Sequence, residues 1–332
     1  MAPYFENNGD RLVPDALRGF ARAHGDLLSL DPEHGFLLAR DTAPGRRVGL
    51  LSGGGAGHEP LHAGFVGPGM LDVAVPGRVF ASPHNRQVYA ASRAGARADG
   101  VLHLVKNYTG DRINFGIAAE RLAHDGIACA RVLIDDDLAS DAEEIASGRR
   151  GTGGTVLVEK VLGAAADEGL GLDELAAVGA GLAARCRSLA VASAAHTAPT
   201  TGERAFELAD GELEYGVGIH GERAGRTIPR GELTPLVERM TGELLAALDP
   251  GTGSEAIVLV NGLGAVTPLE LYGIYGEVAR HLEAQGVRPA RSLVGNYVTA
   301  LDMRGFSVSL LLADEETLRR WDAPVRTAAL RW

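Results

Sequence analysis

The chain has 332 residues, a formal net charge of −11 and 45% hydrophobic residues. This length predicts about two domains, and the hydrophobic content is enough for substantial cores. The acidic balance argues against binding to nucleic acids or to anionic membrane surfaces. The sequence contains no uncharged apolar run of about 18 residues that would span a membrane. Residues 1–10 also lack the pattern of a signal peptide, so we expect a cytoplasmic protein.

Lysine and cysteine are both rare in this sequence. Lys106 and Lys160 are its two lysines, and arginine fills the other basic positions. A lysine inside a candidate site is therefore informative. Cys129 and Cys186 lie in apolar segments, which predicts free thiols within a core.

Short β-rich runs alternate with helical patterns in the first half of the chain. We predict strands at 48–51, 101–105 and 131–134, and helices at 113–124, 156–167 and 172–185. This alternation predicts an α/β domain with a largely parallel sheet, in which functional loops follow the carboxyl ends of the strands.

The pattern changes after residue 187, where we place a boundary between an N-terminal α/β domain (1–187) and a C-terminal α/β domain (188–332). In the second half we predict strands at 189–193, 256–260 and 306–312, and helices at 233–248 and 268–285. Residues 206–219 are predicted to form paired strands with a turn at Asp210-Gly211, and 249–254 form a loop.

A glycine-rich segment, Ser-Gly-Gly-Gly-Ala-Gly-His-Glu-Pro at 52–60, follows the first strand. Its glycines permit close approach of the backbone to a ligand. It is not a phosphate-binding P-loop, because the chain has no Gly-Lys pair, and His58 replaces the last glycine of the dinucleotide-binding motif. His58 and His62 also match the zinc-protease spacing, but Pro60 favours the first position of a helix and so puts His58 before it. His62 is then a core or capping histidine.

Two further segments contain candidate catalytic groups. Lys106 and Asp111 lie in a loop between a strand and a helix, where they suit an anion-binding group and a general base; alternatively, Asp111 caps the helix. His220 is flanked by glycines and is either a nucleophile toward a carbonyl group or a structural histidine. The three aspartates at 135–137 could bind a metal ion; alternatively, they are solvated or cap the next helix.

Taken together, these segments resemble the substrate-binding K subunit of the dihydroxyacetone kinase family. The resemblance runs through residues 52–60, 67–71, 80–83, 106–111, 134–137, 215–222, 270–273 and 321–325. It implies a two-domain α/β fold, a homodimer, and a ketose held on His220 as a covalent hemiaminal. It also implies that His58 and Asp111 act on the substrate hydroxyl groups, while Lys106 and the loop Gly55-Ala56-Gly57 line the pocket.

The resemblance further implies a kinase whose phosphoryl donor is carried by another protein. ADP or ATP with Mg²⁺ is expected on a separate L subunit, supplied by a phosphoenolpyruvate relay or by free ATP, and no cofactor or metal is expected on this chain. The attacking imidazole must be unprotonated, so acid pH should prevent adduct formation.

Two departures from the family pattern bear on the substrate. Ala56 replaces a common serine, and Arg223-Ala224 replaces a common proline next to the nucleophile. A four-carbon ketose such as erythrulose is therefore an alternative substrate. A ketose-sensing co-regulator is an alternative function, although a sensor would need His220 but not Asp111.

Overall fold

The computed structural model describes residues 4–7, 9–140 and 148–332. Within these residues the chain forms two six-stranded sheets with helices between and after the strands. This mixed α/β architecture confirms the predicted fold class. The described residues include no helix that is both long and apolar enough to cross a membrane.

The first sheet has four neighbouring parallel strands at its centre and edge. Its strands are β1 (Leu28–Leu30), β2 (Leu37–Ala39), β3 (Gly49–Ala56), β4 (Val73–Val79), β5 (Val101–Lys106) and β6 (Cys129–Ile134). Their order is β1-β2-β4-β3-β5-β6, and β4, β3, β5 and β6 are mutually parallel. Every residue of β3 and β5 is buried, as expected for parallel strands covered on both faces.

Five helices lie between residues 12 and 184, among and after the strands of the first sheet. They are α1 (Leu12–Ala23), α2 (Asn85–Gly95), α3 (Thr109–His124), α4 (Gly154–Asp167) and α5 (Leu172–Ala184). Val88 of α2 and Phe115 of α3 join Val73 and Val105 in one core cluster beside the sheet. The strands and helices predicted in this half are confirmed, whereas α1, α2, β1, β2 and β4 were not predicted.

The second sheet is mostly antiparallel. Its strands are β7 (Cys186–Ala194), β8 (Glu212–Tyr215), β9 (Thr227–Pro229), β10 (Glu255–Gly262), β11 (Arg288–Gly295) and β12 (Arg304–Ala313). The order is β11-β10-β12-β7-β8-β9, and only β10 and β11 are parallel among the described pairs. Three helices belong to this half: α6 (Leu233–Leu248), α7 (Pro268–Ala284) and α8 (Glu315–Asp322).

The predicted helices of this half are confirmed because their ends carry strong local signals. Thr267 and Glu270 form a capping box at the start of α7, and Pro268 occupies its first turn. Helix α6 ends at Asp249, which adopts a left-handed conformation with φ of 48°. The predicted loop at 249–254 follows directly.

The predicted hairpin at 206–219 is wrong. Strand β8 pairs with β9 and with β7, and residues 206–209 form no strand. The chain leaves β8 at Gly216, whose φ of 92° favours glycine, and returns as β9 only after a loop of about ten residues. A turn at Asp210-Gly211 therefore precedes β8 instead of joining two paired strands.

The described chain divides into two compact units, each built from separate segments. The first-sheet unit comprises residues within 5–134 together with Val158–Ala183 and Arg319–Trp332. The second-sheet unit comprises Tyr4, the described residues of 135–157, and Ala184–Leu318. The two consecutive domains expected from the sequence, with a boundary at 187, stay a prediction. In the compact units, the described residues of 135–157 group with the chain after this boundary, and 319–332 group with the chain before it. Cys129 and Cys186 are free thiols, as predicted.

Candidate functional site

The glycine-rich segment ends strand β3 in the first-sheet unit. A Cβ atom added to Gly55 would lie 2.7 Å from the backbone nitrogen of Ala81, and one added to Gly54 would collide with Nζ of Lys106. The absence of side chains at these positions therefore lets a neighbouring backbone segment and a lysine approach the strand. Ala56 is buried at the end of β3, and Gly57 follows with φ of 97°.

His58 follows this loop and is fully buried. Its ring stacks on Phe80, with centroids 5.0 Å apart and an interplanar angle of 26°. Residues 58–62 form bends and turns, so His58 and His62 do not share a helical face. This confirms that the segment is not a zinc-protease helix. Among the described residues, no group of three or more His, Cys, Asp or Glu side chains is arranged to hold a metal ion.

A buried chain of polar side chains leads from the glycine loop into the core. Nζ of Lys106, at the end of β5, lies 2.8 Å from Nε2 of His62 and 3.3 Å from the carbonyl oxygen of Gly53. Nδ1 of the same histidine lies 2.7 Å from Oε1 of Glu159 on α4. All three side chains are at least 95% buried. The sequence identified Lys106 but not the roles of His62 and Glu159.

Burial dominates the electrostatics of this chain. It lowers the pKa of His62 well below the usual value, and the neighbouring Lys106 and His58 add to the effect. Burial also lowers the pKa of Lys106, while the charges of Asp111 and Glu159 oppose that shift. The pKa of Glu159 is raised by burial, against a hydrogen bond from Ser52 and the charge of Lys106. His62 is therefore neutral near pH 7.

Asp111 lies in the first turn of α3 and is buried. Tyr108, not Asp111, occupies the N-cap position of this helix. Oδ1 of Asp111 is buried and accepts no hydrogen bond from the described part of the chain. A carboxylate in the first helical turn is stabilised by the helix dipole. A carboxylate with such an uncommitted oxygen suits a proton acceptor.

His220 belongs to the second-sheet unit and lies in the loop after β8. Its backbone N–H donates to Oε2 of Glu222 at 2.9 Å, and its Nδ1 lies 2.9 Å from Oε1 of the same carboxylate. The turn is closed by the N–H of Gly218, which donates to the carbonyl oxygen of Glu222 at 2.8 Å. These contacts hold the imidazole and the carboxylate in one fixed pair.

The carboxylate of Glu222 is ionised. Burial would raise its pKa, but the hydrogen bond and charge of His220, together with Arg150, lower that pKa to about 2. A carboxylate at Nδ1 favours the tautomer in which Nδ1 carries the proton, so the lone pair is on Nε2. The imidazole is then equipped to attack a carbonyl carbon through Nε2.

Two further residues lie beside this loop. His196 was not identified from the sequence, and Arg223 was named without a prediction of its contacts. His196 is buried, and a Cβ atom on Gly221 would lie 2.8 Å from its Cε1. Arg223, which departs from the family pattern, donates from Nε to Oε2 of the buried Glu214 at 2.8 Å and lies 5.5 Å from the ring of Phe206. Its guanidinium is therefore engaged by residues of β8 and of the segment before it.

The three aspartates at 135–137 have structural roles. Asp136 accepts hydrogen bonds from the N–H groups of Thr152 and Gly154, at 2.7 and 2.9 Å, and so caps the start of α4. Asp137 pairs with Arg150 at 2.6 Å. The helix-cap interpretation is therefore confirmed for Asp136, while Asp135 and Asp137 form ion pairs with Arg149 and Arg150.

The predicted site residues fall into two sets. Gly55, Ala56, Gly57, His58, Lys106 and Asp111 lie in the first-sheet unit, and His220 lies in the second-sheet unit. Within the first set, Nζ of Lys106 contacts the carbonyl oxygen of Gly53, and the charge of Asp111 raises the pKa of Lys106 against the effect of burial.

Comparison with known proteins shows similarity along the whole chain. The chain is 40% identical to the dihydroxyacetone-binding subunit DhaK of the PEP-dependent dihydroxyacetone kinase of Escherichia coli, over 98% of each protein. It is 37% identical to the L-erythrulose 1-kinase of Mycolicibacterium smegmatis, over 99% of this chain but 58% of that protein.

Solved structures show the same fold. The dihydroxyacetone kinase of C. freundii superposes with a TM-score of 0.90 at 35% identity, over 100% of this chain and 60% of that one. The dihydroxyacetone kinase operon co-activator Dha-DhaQ superposes with a TM-score of 0.88 at 33% identity, over 95% of this chain and 96% of that one. The model of the Dak1 domain matches residues 18–329. The chain therefore belongs to the Dak1 domain family.

Proposed function

We propose that this chain is the ketose-binding subunit of a dihydroxyacetone kinase, and that it holds its substrate covalently on His220. The observation that carries the proposal is the pairing of His220 with Glu222, which puts the imidazole lone pair on Nε2. The similarity to DhaK of Escherichia coli supplies the substrate class.

The proposed binding step is the addition of an imidazole to a ketone. Nε2 of His220 forms a bond to the carbonyl carbon, the carbonyl π bond breaks, and its oxygen takes up a proton to give the hemiaminal hydroxyl. The ring is cationic until Nδ1 releases its proton to solvent, which balances the proton that the oxygen takes from solvent, and the Glu222 carboxylate stabilises the transient charge. Dihydroxyacetone is small and uncharged, so noncovalent burial offers little affinity, whereas a covalent bond holds it tightly. Glycerol lacks a carbonyl group and is excluded.

The proposed transfer step uses Asp111, with His58 orienting the reacting hydroxyl group. Asp111 accepts the proton of the ketose hydroxyl as that oxygen attacks phosphorus. The donor is a nucleotide with Mg²⁺ on a separate L subunit, charged by a phosphoenolpyruvate relay or exchanged with free ATP. The product is dihydroxyacetone phosphate. We also expect the chain to act as a homodimer, as the resemblance to the family implies.

Two alternatives keep the same covalent step. The relative from Mycolicibacterium smegmatis favours L-erythrulose as a second candidate substrate. The likeness to the co-activator Dha-DhaQ favours a sensor that binds a ketose without transferring phosphate. The buried oxygen of Asp111 that accepts no hydrogen bond from the described residues supports the catalytic function, because a sensor needs no base.

The covalent step is tested with ketose labelled with ¹³C at its carbonyl carbon. Wild-type protein should convert the ketone resonance into that of a tetrahedral carbon bonded to nitrogen, and His220→Ala should abolish this signal. Glycerol serves as the ligand control. An equal signal in His220→Ala would refute the assignment of His220 as the nucleophile.

The transfer step is tested in a coupled assay with dihydroxyacetone and L-erythrulose. The purified chain alone should consume no ATP in a ketose-dependent way, and addition of a nucleotide-loaded L subunit should start turnover. Turnover by the isolated chain would contradict the proposed division of labour. Adduct formation without turnover in the presence of the L subunit would favour the sensor.

A further inference from the structure

Three buried side chains that the proposed chemistry does not use directly form a continuous hydrogen-bonded chain. It runs from Glu159 on α4 through His62 to Lys106 at the end of β5, with separations of 2.7 and 2.8 Å. Burying a carboxylate and an ammonium is costly unless each is compensated. Their connection through one imidazole therefore requires an explanation.

The chemistry of the three groups allows one arrangement of protons that keeps Lys106 charged. An ammonium group has only donors, so Nε2 of His62 must accept from it. Nδ1 then carries the ring proton and donates to Glu159. The ring is neutral in this arrangement, and Glu159, whose pKa burial raises to about 8, accepts from Nδ1–H in either of its protonation states. The carbonyl oxygen of Gly53, 3.3 Å from Nζ, accepts a second ammonium proton.

The position of Nζ of Lys106 indicates where its third N–H group can donate a hydrogen bond. The ammonium lies directly against the glycine loop, since a Cβ atom on Gly54 would collide with it. His62 and Gly53 are the two acceptors of Lys106 among the described residues. One strong donor is therefore available at the loop, with the charge of Asp111 nearby.

We propose that Glu159 and His62 are positioning residues that hold Lys106 at the glycine loop as a charged hydrogen-bond donor to an oxygen atom of the bound ketose. The inference rests on the proposed function for the identity of the ligand. A hydrogen bond from a charged group contributes about twice as much as one between neutral groups, so the donor matters for affinity.

Two matched groups show that this arrangement is not a general property of the core. His103, in the same strand as Lys106, is also a buried histidine, but its ring contacts Ser92 at 2.8 Å and Cys129. Lys160 is also buried, but it donates to the carbonyl oxygen of Arg320 at 2.9 Å and lies 5.6 Å from the ring of Trp332. Neither group connects a lysine to a carboxylate through a histidine.

The rarity of lysine makes a direct spectroscopic test possible. Lysine labelled with ¹³C at Cε and ¹⁵N at Nζ gives two signals, and Lys106→Met assigns them. Dihydroxyacetone and His62→Leu should each shift the Lys106 signal and leave that of Lys160 in place. With ¹⁵N-labelled histidine, His62 should show a protonated Nδ1 and an unprotonated Nε2. A proton on Nε2 would overturn the inference.

The kinetic test compares three variants in the presence of the L subunit. His62→Leu should raise the KM for the ketose at least about tenfold, with a smaller effect on kcat, because the lost bond acts in the ground state as well as the transition state. His62→Gln keeps a group that accepts from Lys106 and donates to Glu159, and should recover most of the affinity. His103→Leu should lower the melting temperature without raising KM.

The outcomes separate the inference from the proposed function. An unchanged KM in His62→Leu, or an equal rise in His103→Leu, would leave the chain of hydrogen bonds as a structural feature and overturn the inference. Ketose binding by wild-type protein without a shift of the Lys106 signal would also overturn it, while leaving the proposed function intact. Failure of the wild-type protein to bind any ketose would refute both.

Discussion

The Nδ1 atom of His220 lies 2.9 Å from Oε1 of Glu222, while the backbone N–H of the same histidine donates to Oε2 at 2.9 Å. One carboxylate thus fixes both the backbone and the ring of the proposed nucleophile. This double contact within three residues defines the tautomer before any ligand arrives.

Glu222→Gln should weaken adduct formation about tenfold or more. The amide keeps the size of the side chain but has one acceptor oxygen, so it cannot accept from both the backbone N–H and the Nδ1–H of His220. Titration of ¹³C-labelled ketose measures the affinity of wild type and variant. Glu212→Gln, an acidic residue on β8 outside the loop, is the control. Equal affinities in Glu222→Gln and wild type would show that the carboxylate only shapes the loop.

Asp111→Asn should separate binding from transfer. The variant keeps the size of the buried side chain but removes the base, so the ketose adduct should still form. Turnover with the L subunit should fall by about a hundredfold or more, as the loss of a general base typically causes. A variant with near-normal turnover would mean that Asp111 only stabilises the first turn of α3.

Gly54→Ala should reduce ketose affinity while the protein remains folded. The added methyl group would collide with the end of the Lys106 side chain, which is flexible enough to move away from the loop. Gly116→Ala is the matched control, because a Cβ atom there meets nothing within 4 Å and alanine favours the helix. Isothermal titration measures affinity and thermal unfolding measures stability. Loss of affinity in both variants would contradict the steric explanation.

Acid pH should destabilise the fold through its buried neutral histidines. Burial, with the charge of Arg131, lowers the pKa of His103 from 6.5 to about 3. Below pH 6.5 the unfolded chain binds a proton that the folded chain does not. The free energy of unfolding should therefore fall by up to about 1.4 kcal/mol per pH unit from this group.

His103→Gln tests this linkage because glutamine stays polar but does not titrate in this range. Urea unfolding between pH 6.5 and 4.5 should give a shallower pH dependence in the variant than in wild type. His124→Gln, at an exposed position near the end of α3, should leave the slope unchanged. Parallel slopes for His103→Gln and wild type would show that His103 is protonated in the folded state.

Local sequence signals predicted much of the architecture. Helix α6 has the predicted limits, and the α7 capping box marks its start. Strand β11 was not predicted because its residues are mostly half-buried and include Pro289 and two arginines, which give no clear alternation. Strand β8 was paired wrongly because its partner lies beyond a glycine-rich loop.

The candidate site was only partly predictable. Four of the site residues could be found from the sequence because they lie in short glycine-containing segments after predicted strands: His58, Lys106, Asp111 and His220. Glu159 is 97 residues from His62 in the sequence, so no spacing connects them. The available signal was Glu159 beside Lys160, two charged residues that interrupt the apolar run in the middle of α4.

The first-sheet unit consists of three separate segments of the chain, which affects how it can fold during synthesis. Residues 319–332 complete this unit: Ala329 donates from its backbone to Gly64 at 2.9 Å, and Arg326 to Pro68 at 2.9 Å. The glycine loop is translated early, but its unit gains these contacts only after the second-sheet unit has left the ribosome. The first-sheet unit can therefore complete its contacts only after the strands of the second-sheet unit have emerged, although its own strands are synthesised first.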